Sequence, residues 1–307
     1  MTTLLSHLRL RKRHSRRLGA AAALLAASAV THIVVLLATG GSWEGAVSFR
    51  KPITFGISVG LIMWTSGWVM DRLPDRPRME SILAVTLIAS GLIEVALITV
   101  QTWRGVPSHF NVSTPQDGAI FNLMAVAIGF FSLGLAALLV WALVQRPADR
   151  PTRLAVLAGM ALVMTGLGLG SWIIGLGLEI TERLGHAPDT VYAGEAGVAK
   201  FPHAMALHGI QLFIGASIVT GIAGLTETAR LRITRLVVAG YTLLVAWSIV
   251  HTNAGRAPAD LAGMEAPLLV AGALFLVTAA VSSIIGWRRN GATGAGAAPR
   301  PTVTIRK

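Results

Sequence analysis

AIFNLMAVAIGFFSLGLAALLVWALV, residues Ala119–Val144, is a run of 26 residues without one charged side chain. At 1.5 Å per residue, a helix of that length crosses the roughly 30 Å hydrocarbon core of a bilayer. Seven further stretches read the same way: Leu18–Thr39, Ile53–Met70, Ser81–Gln101, Leu154–Leu178, His203–Leu225, Leu236–Val250 and Ala266–Trp287. The seventh of the eight, Leu236–Val250, is short. Its helix is expected to begin near Ile233, with Arg235 reaching back to the interface. Eight such runs predict an all-α, polytopic integral membrane helix bundle. Composition agrees: the chain is 53% hydrophobic and only 13% charged, whereas a soluble domain is about 25% charged. Its surface must face lipid, so the lipid bilayer is its first partner.

A net charge of +12 would suit a nucleic-acid partner if it formed one patch, but it does not. With the N-terminus inside, 20 of the 26 basic residues fall in the cytoplasmic segments, and the outer loops hold only Arg50, Lys51, Arg104, Arg183, Lys200 and Arg256. This is the positive-inside asymmetry; it predicts an N-in/C-in topology and excludes nucleic-acid binding as the reason for the charge. The absence of cysteine excludes disulfides, thiolate metal sites and cysteine nucleophiles. The first apolar stretch is too long for a signal-peptide core and no clear cleavage site follows it, so it is read as a retained helix. Arginine outnumbers lysine 22 to 4 amid abundant Ala and Gly, a bias of GC-rich bacterial genomes, and the expected location is the bacterial plasma (inner) membrane. Protein partners are left open.

The chain divides into a basic cytoplasmic segment at 1–17, a transmembrane domain at 18–287 and a tail at 288–307, expected to be disordered because it is rich in Gly, Ala and Pro and lacks apolar periodicity. An internal echo runs at a separation of 150: Pro52 with Pro202, and Gln101 with His251. One reading is a 4+4 parallel repeat, since an even number of helices per half preserves orientation. The other is that helix ends at one interface resemble each other. Small residues at four-residue spacing (Gly56/Gly60, Gly166/Gly170, Ser171/Gly175) predict close helix packing.

Ionisable groups within a span are costly and mark sites by default. Glu94, flanked by Leu92, Ile93, Val95 and Ala96, is the clearest case, with Gln101 and Arg104 above it on the same face. Lys51 stands at the outer mouth of the second helix, on one face with Thr54, Ser58 and Thr65. Six of the eight histidines belong to the outer half: His32, His109, His186, His203, His208 and His251. His208 shares a stripe with Gln211, whereas His203 points about 140° away at 100° per residue. Two histidines from different helices would suit haem, and three with Glu94 a transition metal; each alone also reads as a packing residue. The outer loop Trp103–Asn111 sets a cation (Arg104), a proton-transfer group (His109) and an amide (Asn111) beside Glu94, with Gly105 and Pro107 favouring a defined turn.

Three motifs, Lys51-Pro52 with Phe55, Ser58, Trp64 and Thr65, then Arg104-Gly105 with Ser108-His109-Phe110-Asn111, then His203 with Leu207-His208-Gly209-Ile210-Gln211, together resemble an uncharacterised family of bacterial polytopic membrane proteins. The resemblance spans helices 2 to 6; it implies a shared membrane fold and points to these residues, but brings no activity. Eight helices and a 4+4 repeat are similar to haem A synthases in architecture alone, since that family's haem-ligand helices have no counterpart here. The leading expectation is a polar site open to the outer side, with His203, His208 and His251 as candidate haem or metal ligands for redox chemistry and Glu94, Arg104 and His109 handling protons or substrate charge. The alternatives are a proton-coupled transporter of a small anionic substrate and an accessory or assembly subunit.

Overall fold

The computed structural model describes residues 2–145, 149–261 and 263–294. A short helix α1 (Thr2–Leu8) precedes eight long ones: α2 (Arg13–Thr39), α3 (Arg50–Met70), α4 (Pro77–Trp103), α5 (Pro115–Gln145), α6 (Arg150–Leu184), α7 (Lys200–Ile222), α8 (Glu227–Asn253) and α9 (Ala266–Gly294). All eight long helices are apolar enough to cross a membrane. In hydrocarbon each backbone N–H and C=O must bond within the protein, which a helix accomplishes unaided. Large apolar side chains cover the outside, with Leu37, Ile82, Leu133 and Val144 each more than 60% exposed; the solvent they meet is lipid. Between α6 and α7 lies a two-stranded hairpin, β1 (Tyr192–Ala193) and β2 (Gly197–Val198), paired antiparallel.

Most helices outrun their apolar cores, because polar end residues find partners. α8 starts at Glu227 rather than near Ile233, since the Thr226 hydroxyl caps it by accepting from Ala229 N at 3.3 Å. α9 continues past Arg288, where a disordered tail is expected, to Gly294. There the Asn290 side chain donates to the Ala223 and Gly224 carbonyls at the α7–α8 turn. The rest of the expected tail, 295–307, falls outside the described residues. The basic N-terminal segment is held as well: the Trp68 indole and Arg72 guanidinium donate to the His7 carbonyl, and the Arg11 and Lys12 amides to Asp71.

Close approach of small residues sets the tightest contacts. A Cβ on Gly56 would stand 3.0 Å from the Leu25 carbonyl oxygen, and one on Gly60 3.2 Å from that of Ala22, so α2 and α3 meet backbone to backbone. On α6, Gly166 makes room for the backbone and side chain of Leu207 of α7 and Gly170 for the His203 ring, whereas Gly168 and Gly175 face open space. The packing expected at Ser171/Gly175 is therefore not formed, and Ser171 is exposed.

The two halves repeat each other. α2 packs on α3 and α4, α3 on α4, and α4 on α5; α6, α7, α8 and α9 make the same set of contacts. α4 and α8 are both 27 residues long, and their first and last residues stand 150 positions apart. Their C-termini close alike. Arg104, Gly105 and Val106 amides bond to Val100, Thr102 and Gln101 carbonyls; Ala254, Gly255 and Arg256 amides bond to Val250, Thr252 and His251. The turns need a left-handed residue at the same place, Gly105 (φ 70°) and Gly255 (φ 73°). Besides α5 on α6, the halves meet where α3, the most buried span, faces α7.

Candidate functional site

The 150-residue relation has a chemical consequence at the α3–α7 seam. The Ser58 hydroxyl and His208 Nε2 are 2.9 Å apart and 150 positions apart in sequence. A residue touches its own repeat-mate only beside the axis that relates the halves, so this bond marks the axis. Seven residues along α3, again on the same face, Thr65 Oγ1 accepts from Gln211 Nε2 at 3.0 Å. Gln211 Oε1 is buried with no well-formed hydrogen bond, its side chain interacting with the His208 imidazole. Seven residues the other way is Lys51, at the opposite mouth of the seam from the basic end, in electrostatic range of Arg50, Lys200 and Asp189. Below Gln211 the buried Ile214, Ile218 and Trp68 close the seam. Beyond them, at the basic end, lies a polar pocket of about 290 Å³ lined by Thr152, Ser217, Asp149 and Arg230 among others. Arg230 Nη2 donates to Asp149 at 2.9 Å and to the Ser217 carbonyl at 3.3 Å.

Glu94 and His109 form a second cluster against the same stretch of α3. The loop after α4 folds inward rather than lying at the headgroups. Ser108, Phe110 and Asn111 are buried, and Phe110 takes a left-handed backbone (φ 61°) that sets its ring against Gly177 of α6, where a side chain would collide with it. His109, next to it, lies among the rings of Phe55, Phe110 and Phe121. Its Nδ1 meets Ser108 Oγ at 3.0 Å, and its Nε2 stands 3.8 Å from Glu94 Oε1. Burial, with the positive charge of Lys51 adding to it, pushes the His109 imidazole down to about 3. The ring is therefore neutral near neutral pH. Glu94 is 3% exposed and its Oε2 has no hydrogen-bond partner. A carboxyl oxygen left so inside an apolar shell calls for a proton or a ligand donor.

The remaining candidates hold the frame. Arg104 and Gln101, read as lying above Glu94, bind elsewhere. Arg104 Nη1 donates to Asp117 Oδ1 at 2.7 Å and to Gln101 Oε1, and Gln101 Nε2 donates to Asp117 Oδ1 at 3.0 Å. Asp117 is the partner that the sequence reading lacks; its signal is the Thr114-Pro115-Gln116-Asp117 helix start, in which the Asp117 amide donates to Thr114 Oγ1. The second half builds the matching staple from other side chains. His251 Nδ1 lies 2.7 Å from Glu265 Oε1 and its Nε2 2.8 Å from the Ala257 carbonyl, with Arg256 Nε 3.6 Å from Glu265 Oε1. A backbone N–H and His251, with Arg256 adding, hold the Glu265 carboxyl below its usual range. His203 Nδ1 meets the Gly166 carbonyl at 2.7 Å, joining α7 to α6. His32 is stacked on Phe49 and accepts from the Trp103 indole at 3.1 Å. Asn111 closes its own turn, accepting from Ser113 N and Oγ. Among the described residues, no three His, Asp or Glu side chains are gathered as around a metal ion.

This is a multi-pass membrane protein, built from two four-helix halves, with a polar cluster on the seam and a buried carboxyl–imidazole pair beside it. Comparison with protein-family models, curated proteins and solved structures returned no match.

Proposed function

We propose that the chain is a proton-coupled transporter of a small anionic solute in the bacterial plasma membrane, with its path along the α3–α7 seam. The observation that carries this reading is the Ser58–His208 bond on the axis between the halves. Repeat-built transporters place their sites near the midplane at the repeat interface. On either side of that bond the seam has what a path needs: Lys51 at the outer mouth, the half-satisfied Gln211 in the middle, an apolar constriction, and a polar pocket at the basic end. Glu94 is the proton carrier in this scheme, with neutral His109 relaying between it and the outer side. Lys51 and the seam donors hold the anion. Several of the motif residues behind the family resemblance, Phe55, Ser58, Thr65, His109, His208 and Gln211, fall in these two clusters.

The hydrogen bonding of the histidines favours this reading over haem or metal chemistry. Both ring nitrogens of His251 are committed and His208 Nε2 faces Ser58, while His203 keeps Nε2 free among the described residues. The test is purified protein in liposomes loaded with a pH-sensitive dye and challenged with a panel of small carboxylates and phosphates. Proton entry that depends on one of these anions, and is lost in Glu94→Gln and His208→Ala, is expected. Wild-type flux no greater than that of protein-free liposomes, for every anion, would refute the proposal.

A further inference from the structure

At the basic end of the bundle, away from the seam, the start of α4 and the end of α5 enclose a groove of about 660 Å³. Arg76 and Arg78 stand on its rim with Gln145, and its walls are Met79, Val140, Trp141 and Val144. Both arginines are exposed, and neither guanidinium has an acidic partner among the described residues. The nearby carboxylates are already taken: Lys12 Nζ lies 3.0 Å from Asp75 and 2.9 Å from Glu80. Glu80 also accepts from the Arg76 amide. The apolar wall continues into the lipid-facing surface, where Ile82 and Val85 of α4 and Val140 and Leu133 of α5 are all more than half exposed.

Unpaired cations at the headgroup level above an apolar groove complement one kind of molecule: an anionic lipid, its phosphate between the arginines and its acyl chain along the groove. We infer that this groove is a binding site for an anionic phospholipid of the basic-side leaflet. Basic pockets between transmembrane helices on this side are suited to such headgroups. The volume is within the range of small-molecule sites. Lys12, with its Nζ 5.9 Å from the centre of the Trp141 ring, steadies the wall from behind. The site is independent of the transport reading: it lies on the α4–α5 face of one half, and its occupant is not the transported solute.

The experiment is native mass spectrometry of the full-length protein titrated with phosphatidylglycerol or phosphatidylcholine. Wild type should bind one phosphatidylglycerol more tightly than any phosphatidylcholine. The double variant Arg76→Gln/Arg78→Gln should weaken that binding by about 10- to 30-fold, the loss expected for two basic contacts at a membrane surface. The control Arg232→Gln/Arg235→Gln removes the same charge from exposed positions at the basic end of α8 and should leave it within about two-fold. Val144→Trp fills the groove with both arginines retained, and should also lower phosphatidylglycerol binding. Equal losses in the two double variants, no loss in Arg76→Gln/Arg78→Gln, or equal binding of the two lipids by wild type would each overturn the assignment.

Discussion

Replacing Glu94 by leucine should make the protein more stable while removing its proposed activity. The carboxyl makes no good hydrogen bond: Oε1 is 3.8 Å from His109 Nε2, beyond hydrogen-bonding range, and Oε2 has no partner at all. Its removal therefore forfeits little. A buried, unsatisfied polar group costs about 1–3 kcal/mol, and leucine has a similar volume and suits an apolar shell. For a chain of this size each kcal/mol corresponds to about 2–4 °C in Tm, so Glu94→Leu should melt about 2–12 °C higher. Glu94→Gln, which leaves a polar group in place, should gain much less. The assay is tryptophan fluorescence during a thermal ramp of detergent-purified protein, in parallel with the liposome flux measurement. A gain in Tm with loss of flux is the signature of a group kept for function at a cost in stability. A fall of several degrees in Glu94→Leu would show that the carboxyl holds helices together, and the reasoning would be refuted.

Three further outcomes follow from the geometry. In a double-mutant cycle on thermal stability, Ser58→Ala and His208→Ala should show a coupling of about 1 kcal/mol, the usual net value of one hydrogen bond; strictly additive effects would remove the contact at the axis. Gly60→Leu should prevent α2 from seating on α3 and yield aggregated protein on size-exclusion chromatography, because its Cβ already lies 3.2 Å from the Ala22 carbonyl. Gly168→Leu, facing open space, should elute as wild type, and equal behaviour of the two would contradict the packing described. For His109 the folded pKa, about 3, lies below the ordinary 6.5, so protonation favours the unfolded chain. Its contribution to stability is intact above 6.5 and erodes as pH falls from there toward 3. Wild type should lose Tm over that window more steeply than His109→Gln, and parallel curves would mean that the imidazole is not buried.

The spans were legible in the sequence because the bilayer imposes them as apolar runs of fixed length. The repeat was legible as well, in Pro52/Pro202 and Gln101/His251, since helix starts and C-caps carry fixed chemistry. Partnering was not. Periodicity puts Gln101 and Arg104 on the face of Glu94, but the turn at Gly105 and the cap at Asp117 draw both of them away. Periodicity along one helix cannot register an acid arriving from the next. The same gap concealed Glu265 behind His251. Nor does local sequence reveal that the loop around His109 turns inward, because the cause is the notch at Gly177 on α6, far along the chain.

In the proposed transport scheme the bond between Ser58 and His208 also serves as a fulcrum. When two bodies rock about a point of contact, that contact hardly moves, while points above and below it swing apart in turn. Lys51 is seven residues from Ser58 along α3, a lever arm of about 10 Å at 1.5 Å per residue. A tilt of about 10° would thus open the outer mouth by roughly 2 Å and pinch the far pocket, then reverse, with the pivot still closed. A bundle of two matching halves sets two equivalent positions at such a pivot. Here the two positions hold serine and histidine, so the hinge of the proposed scheme would carry a group able to donate or accept a proton.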